Sequence, residues 1–248
     1  MRRVRLTLLA VLVMTGAVAC GGTSDHPGEQ AGTVTTLTAE ERVIRFRVDG
    51  DQVGAPPLAP IAATVADRLR RSGMNGADVS VDGQTLVIQL PEGSTPTARR
   101  LVDTVTAVGE LAFRPVLAES STGGATPITG IPTVGPDGSP LVLGPPVLEN
   151  GIASATAAAE AGGWVVVPRF NVDLSPLLDA VGACIERQAI CPTGKMAIVI
   201  DDRVVSVGQI DPSLRRVVIT GSFDEFEAKG LAAVLSTGPL PVRLVPAR

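Results

Sequence analysis

Strand and helix patterns follow one another in a restrictive order in the first half of this chain. Residues Val43–Val48 alternate apolar and charged side chains, which predicts a half-buried strand. Ile61, Val65 and Leu69 then recur every fourth residue before Gly73, which predicts an amphipathic helix. Because consecutive elements usually pack beside each other, this succession already limits the possible folds.

Two further strands, a helix and another strand complete the succession. Two apolar runs flank Asp82-Gly83, a dipeptide typical of a hairpin turn. A second amphipathic helix is expected to end at Gly109, and residues 111–117 read as a strand. The order strand, helix, strand, strand, helix, strand is that of the split βαβ, ferredoxin-like unit.

The second half of the chain predicts another α+β unit. The expected elements are an Ala-rich helix at 154–160, a strand at 164–170, a helix from Ser175, a hairpin around Asp201-Asp202-Arg203, a strand at 217–220, a helix begun by a capping box of Asp224 and Glu227, and a strand at 240–245. The fold class expected for the whole chain is therefore α+β with mixed sheets.

Composition limits both the core and the partners. Aromatic residues make up 2% of the chain and Tyr is absent, so the core must consist mainly of Val, Leu, Ile and Ala. The formal net charge is -4, and it becomes more acidic if Arg2, Arg3 and Arg5 are removed with a leader. A dedicated nucleic-acid binder would normally show a basic face, so no nucleic-acid partner is expected.

The first 20 residues have the layout of an export signal. A basic start precedes an apolar run at residues 6–18, which is too short to span a bilayer, and small residues precede Cys20. The segment resembles the lipobox of bacterial lipoproteins, although Ala17 stands where such boxes usually have Leu. The resemblance implies cleavage before Cys20 and lipidation of that cysteine. The alternative is an ordinary signal peptide that contains a cysteine.

Two other segments are polar and rich in small residues. Residues 21–40 lack apolar periodicity over most of their length and are expected to form a flexible tether. Residues 118–140 are dominated by Gly, Pro, Ser and Thr, and we expect a mobile loop there.

Cys184 and Cys191 are the remaining cysteines, and an even pair in an exported protein indicates a disulfide. Because seven helical residues would separate the two Cα atoms by about 10.5 Å, a helix carrying Cys184 must end before Cys191. Pro192 is consistent with such an end. A metal-binding pair and two free thiols are the alternatives.

Few residues suggest catalysis, and we expect no enzyme, no cofactor and no metal site. The only histidine is His26, in the expected tether, so a Ser-His-Asp arrangement in the folded part is excluded. Asp201 and Asp202 could form an acid/base or metal pair, but adjacent carboxylates on a hairpin usually form a turn that faces water. Neither Lys195 nor Lys229 follows a Ser-x-x-Lys pattern.

A group of arginines and Trp164 each have a structural interpretation and a functional one. Arg68, Arg70 and Arg71 lie near a helix end, where they complement the helix dipole or contact a partner. Trp164 fills a core or an interface between subdomains, with stacking on a ligand as the alternative.

Several segments resemble the first extracytoplasmic domain of the protein-export subunit SecD. They are residues 194–206 with the strand and acidic hairpin, Ile219-Thr220-Gly221, then Phe223, Glu227-Ala228, Leu231-Ala232 and Leu235, and the closing Gly238-Pro239-Leu240-Pro241-Val242. Upstream, residues 68–73, 86–91, 109–116, 148–158 and 165–170 also resemble it. The resemblance implies a ferredoxin-like base with an inserted α+β head. We assign residues 41–117 to the base, 141–239 to the head, and 240–248 to the closing strand and C-terminus.

The resemblance also implies a function and a location. We expect a lipid-anchored module on the outer face of the cell membrane that binds Sec translocase subunits or unfolded exported chains. The family's membrane-spanning helices have no counterpart here, so no coupling to the proton gradient is expected. Leu214-Arg215-Arg216 also replaces the family's usual Gly-Gly. The alternative is a cell-envelope lipoprotein with a structural or ligand-binding role unrelated to export.

Overall fold

The computed structural model describes residues 35–50, 57–119, 130–209 and 217–247. The strands are β1 (Val43–Val48), β2 (Asp78–Asp82), β3 (Thr85–Gln89), β4 (Leu111–Glu119), β5 (Ile131–Val134), β6 (Pro140–Leu143), β7 (Leu148–Glu149), β8 (Ile152–Glu160), β9 (Gly163–Phe170), β10 (Lys195–Ile200), β11 (Arg203–Gln209), β12 (Ile219–Phe223) and β13 (Leu244–Pro246). The helices are α1 (Leu58–Arg71), α2 (Pro96–Val105), α3 (Ser175–Ile185) and α4 (Glu225–Thr237).

One sheet, called the base sheet below, has four antiparallel strands in the order β13-β1-β3-β2. The β2–β3 hairpin turns at Asp82-Gly83 as the sequence predicted, with Asp82 opposite Thr85. Ile61, Val65 and Leu69 of α1 are buried together with Leu86 and Ile88 of β3 in one apolar cluster. Residues of both α1 and α2 belong to this cluster, so the two helices cover the core of the sheet.

The strand at 111–117 forms, as β4, but its partners differ from those expected. It lies in a six-stranded sheet, called the head sheet below, between β10 and β6. In this sheet Phe113 is opposite Ile198 and Val116 is opposite Leu143. The position beside β1 is taken by β13 from the end of the chain. The base sheet is therefore completed only after the chain has formed the strands of the other two sheets.

The segment at 154–160 is a strand and not the helix that its alanines suggested. It forms most of β8, which pairs with β9 from Ser154 opposite Arg169 to Glu160 opposite Gly163. β9 also pairs with β12, which completes a three-stranded sheet in the order β12-β9-β8. Alanine has the highest helix propensity, but the strand partner overrides this weak preference.

Helix α4 packs between the base helices and the three-stranded sheet. Its start is the predicted capping box, in which the Asp224 carboxylate accepts from the Glu227 backbone N–H. Leu231 and Leu235 belong to the head core, whereas Gly230 faces α2, where a Cβ would meet Leu101 at 2.6 Å. The helix therefore contributes to both parts of the fold.

Smaller differences concern the ends of elements and the loops. Helix α2 ends at Val105 rather than near Val108, β12 begins two residues later than expected, and β13 is short. Within the expected loop at 118–140, β5 and the start of β6 are strands, and residues 120–129 lie outside the described residues. Cys20, His26 and residues 21–34 of the expected tether also lie outside them. None of the four described helices is long and apolar enough to cross a membrane.

Candidate functional site

The polar residues singled out in the sequence are mostly engaged in structural contacts. Lys195 pairs with Glu119 at 2.5 Å, and Lys229 pairs with Glu225 at 2.5 Å while it lies 5.9 Å from the ring centroid of Trp164. Trp164 itself is half-buried against the head core. Across the described ranges, no group of three or more His, Cys, Asp or Glu residues could hold a metal ion.

Arg68 is fully buried at the junction of α1, α2 and α4, with 0% of its surface exposed. Its Nη1 donates to the carbonyls of Val105 and Ala107, and its Nη2 donates to those of Val108 and Gly238 at 3.0 and 2.7 Å. Its Nε donates to Thr237 Oγ1 at 2.8 Å. The cation thus binds the carbonyl ends of α2 and α4, where the helix dipole favours positive charge.

The three arginines of this helix end therefore have different roles. Burial lowers the pKa of Arg68 to about 10, which leaves it charged at neutral pH, while the nearby Asp201 carboxylate acts in the opposite direction. Arg70 and Arg71 are exposed and pair with Asp67 on their own helix. The dipole interpretation holds for Arg68, but the dipoles that it complements belong to neighbouring helices.

The two aspartates of the β10–β11 turn differ from each other. The Asp201 carboxylate accepts the backbone N–H groups of Gly109 and Glu110, each at 2.8 Å. Asp202 faces water, with 98% of its side chain exposed, and lies 3.9 Å from Arg243. The prediction of a water-facing turn is correct for Asp202 and wrong for Asp201, which ties the hairpin to the start of β4.

Cys184 and Cys191 form a disulfide in the structure, with Cα atoms 4.8 Å apart. Helix α3 ends at Ile185, and the following turn returns the chain so that Cys191 lies beside the helix. Both cysteines are buried in the head core. The disulfide therefore holds the segment at 186–191 against the end of α3.

The solvent side of α3 carries exposed apolar residues beside the exposed Asp179, which the sequence did not predict. Leu178 and Ile185 are seven residues apart and so lie on one face of the helix, with 62% and 45% of their surfaces exposed. Ile190, which follows in the disulfide-bonded turn, is 54% exposed. These three residues are called the α3 face below.

Gly182 lies between Leu178 and Ile185 on the α3 face. A Cβ at Gly182 would meet no atom within 4 Å, so no contact of the fold requires glycine there. Glycine inside a helix costs about 1 kcal/mol relative to alanine. The α3 face thus combines exposed apolar side chains with a gap where another backbone can approach closely.

A sequence signal for this face was present. The helix has apolar residues on two sides, since Leu177, Ala180 and Cys184 face the core while Leu178 and Ile185 do not. A helix that is apolar all round is normally buried. The sequence cannot say which of the two sides meets the core.

Comparison with known proteins gives consistent matches. Residues 138–242 match the family model described as SecDF, P1 head subdomain. An 85-residue segment is 38% identical to the protein translocase subunit SecD of Streptomyces coelicolor, and it represents 33% of this chain and 15% of that protein. These findings support a SecD/SecDF periplasmic domain.

A solved structure extends the likeness to the fold as a whole. The crystal structure of SecDF in a super-membrane-facing form matches 83% of this chain with a TM-score of 0.52 and 23% sequence identity. The matched region covers 29% of that solved chain. This chain therefore spans much less than the full length of the proteins that it matches, and the mixed α+β fold is shared with SecDF.

Proposed function

We propose that this protein, whose residues 138–242 match the SecDF P1 head subdomain, is a non-enzymatic accessory module of protein export. Its role is to bind unfolded exported polypeptides, or subunits of the Sec translocase, on the outer side of the cell membrane. The similarity of an 85-residue segment to the SecD translocase subunit supports a role in export.

The observation that carries the binding role is the α3 face. Single exposed apolar residues are common on protein surfaces, but grouped ones indicate an interaction site. Leu178, Ile185 and Ile190 lie within the matched head segment, and the disulfide fixes Ile190 near the helix. An unfolded chain exposes apolar side chains that such a surface binds without a strict sequence requirement.

We further propose that Cys20 carries a lipid that anchors the protein to the extracytoplasmic face of the membrane. The basic start, the apolar run and the small residues before Cys20 support this assignment. Mass spectrometry of the mature protein tests it, because cleavage before a lipid-modified Cys20 gives a defined mass. A Cys20→Ser variant that remains in the membrane fraction would contradict the anchor.

Photo-crosslinking in cells tests the binding role. A crosslinking amino acid at Leu178 or Ile185 is expected to capture exported chains or translocase subunits. The matched control is the same amino acid at Asp78, which is exposed on the base sheet. Adducts at Asp78 as abundant as those at Leu178, or none at any position, would contradict the proposal.

A further inference from the structure

The edge of β8 that does not pair with β9, called the free edge below, borders an open cleft. Backbone N–H and C=O groups of β8 point towards this edge. Ser236 of α4 accepts the Ala155 backbone N–H at 2.8 Å, and its Oγ lies 3.1 Å from the Ala155 carbonyl oxygen. Ala155 therefore points both of its backbone groups away from β9. One serine side chain occupies the place that a neighbouring strand would take.

The same direction extends along the strand. The pairing of β8 with β9 is continuous from Ser154 to Glu160, and residues of an antiparallel strand alternate between its two edges. Ala157 and Ala159 thus point their N–H and C=O groups to the same side as Ala155. Thr156 and Ala158 point theirs to β9.

The free edge of β8 faces an open cleft. The cleft has a volume of about 370 Å³ and is bordered by Ala155 and Ala157 of β8, by Lys229 and Ser236 of α4, and by Arg71 and Gly73 at the end of α1. A Cβ at Gly73 would meet no atom within 4 Å, so this wall leaves room. Both cations of the cleft are already paired with carboxylates of their own helices.

Edge strands usually carry features that block pairing with other chains, such as prolines, bulges or lysines. From Ser154 to Ala159, β8 has no proline, no lysine and no bulge, and its side chains are small. Because the side chains of β8 are small, they do not exclude a partner strand by the size of its side chains. The groups that remain for recognition are those of the backbone.

The geometry points to β8 as a strand-addition site for an extended segment of an unfolded polypeptide, bound in the cleft through the backbone groups of Ala157 and Ala159. That this polypeptide is an exported chain rests on the proposed function. Backbone pairing identifies the ligand class, because it accepts an extended chain of almost any sequence. The α3 face lies on a different element and would hold a different part of the same chain.

Amide hydrogen exchange of the full chain tests the site without a substitution. The probe is a synthetic peptide of alternating Thr and Val with a lysine at each end. We expect exchange at Ala157 and Ala159 to slow when the peptide binds, whereas Thr156 and Ala158, already bonded to β9, change little. An analogue that is N-methylated at every central amide should not bind, because it lacks backbone donors.

A proline variant provides a second measurement. Ala157→Pro removes an N–H that points away from β9, so the β8–β9 pairing is kept and peptide affinity should fall about tenfold or more. The matched control is Ala153→Pro, at the irregularity of β8 where no β9 residue is opposite. Its peptide affinity should stay within about twofold of the wild type.

The outcomes separate this site from the proposed function. Peptide binding without slower exchange at Ala157 and Ala159, or no peptide binding at all, overturns the strand-addition site. Crosslinks from Leu178 could persist in both cases, and the proposed function would then stand. Slower exchange combined with an absence of crosslinks in cells would leave the site in place and contradict the role in export.

Discussion

Arg68 and Asp201 bind opposite ends of one peptide unit. Arg68 Nη2 donates a hydrogen bond to the Val108 carbonyl at 3.0 Å, and the Gly109 N–H donates one to the Asp201 carboxylate at 2.8 Å. This peptide unit lies between α2 and β4, where the chain passes from the four-stranded sheet and its helices to the six-stranded sheet. A cation from α1 and a carboxylate from the β10–β11 turn therefore fix the crossing point from both sides.

Arg68→Met should destabilise the fold by about 3 kcal/mol or more, since it leaves several buried carbonyls without a donor. The measurement is urea unfolding followed by circular dichroism. Arg71→Met is the matched control on the same helix; its exposed ion pair should contribute less than about 1 kcal/mol. Similar losses for the two variants would show that the buried contacts of Arg68 do not stabilise the junction.

Asp201→Asn should cost about 1–2 kcal/mol, because it replaces charge-assisted hydrogen bonds to Gly109 and Glu110 by weaker ones. Asp202→Asn is a close control, since both residues have positive φ, which asparagine tolerates. Chemical denaturation of the two variants compares them directly. An equal effect at both positions would mean that the turn, and not the carboxylate contact, determines the loss.

Gly182→Ala should stabilise the protein by about 0.5–1 kcal/mol, because alanine favours the helix and its Cβ meets no neighbour. The same change at Gly230 in α4 should destabilise it, since that Cβ would meet Leu101 at 2.6 Å. Thermal unfolding of both variants measures whether each substitution raises or lowers the stability. If Gly182 is kept for close approach of a partner, Gly182→Ala should also weaken crosslinking from Leu178.

Replacement of both Cys184 and Cys191 by alanine should lower stability by about 2–3 kcal/mol, since the bond closes a short loop in the unfolded chain. Unfolding of the wild type with and without a reductant should show a comparable difference. The double variant should not respond to the reductant. A response in the variant would assign the effect to something other than this disulfide.

Acid should weaken the start of α3. The Asp173 carboxylate accepts the Ser175 backbone N–H at 3.0 Å and the Ser175 hydroxyl at 2.8 Å, and these bonds lower the pKa of Asp173 below its ordinary 3.8. Because the folded-state pKa is the lower one, the stabilisation is present above the unfolded-state pKa and is lost as pH falls through the folded-state value. NMR titration of the carboxyl group measures the pKa directly.

The control for the acid effect is Asp173→Asn. It removes the titrating group, so its stability should lose less than that of the wild type as pH falls below about 4. Parallel acid dependence in the two proteins, or a pKa of Asp173 above 3.8, would contradict this assignment.

The sequence by itself determined those helices and turns that depend on residues close together in the chain. The apolar spacing of Ile61, Val65 and Leu69 predicted α1, Asp82-Gly83 predicted the β2–β3 turn, and Asp224 with Glu227 predicted the start of α4. These features depend on contacts between residues a few positions apart. They are therefore readable without knowledge of the rest of the fold.

The tertiary structure alone decided what depends on distant partners. β4 pairs with β10 rather than β1, the alanines of β8 form a strand because β9 lies beside them, and Arg68 is buried because the ends of α2 and α4 meet it. The amino-acid pattern around each of these sites is compatible with more than one outcome. The choice is made by hydrogen bonding and burial between segments far apart in the chain, which local periodicity does not contain.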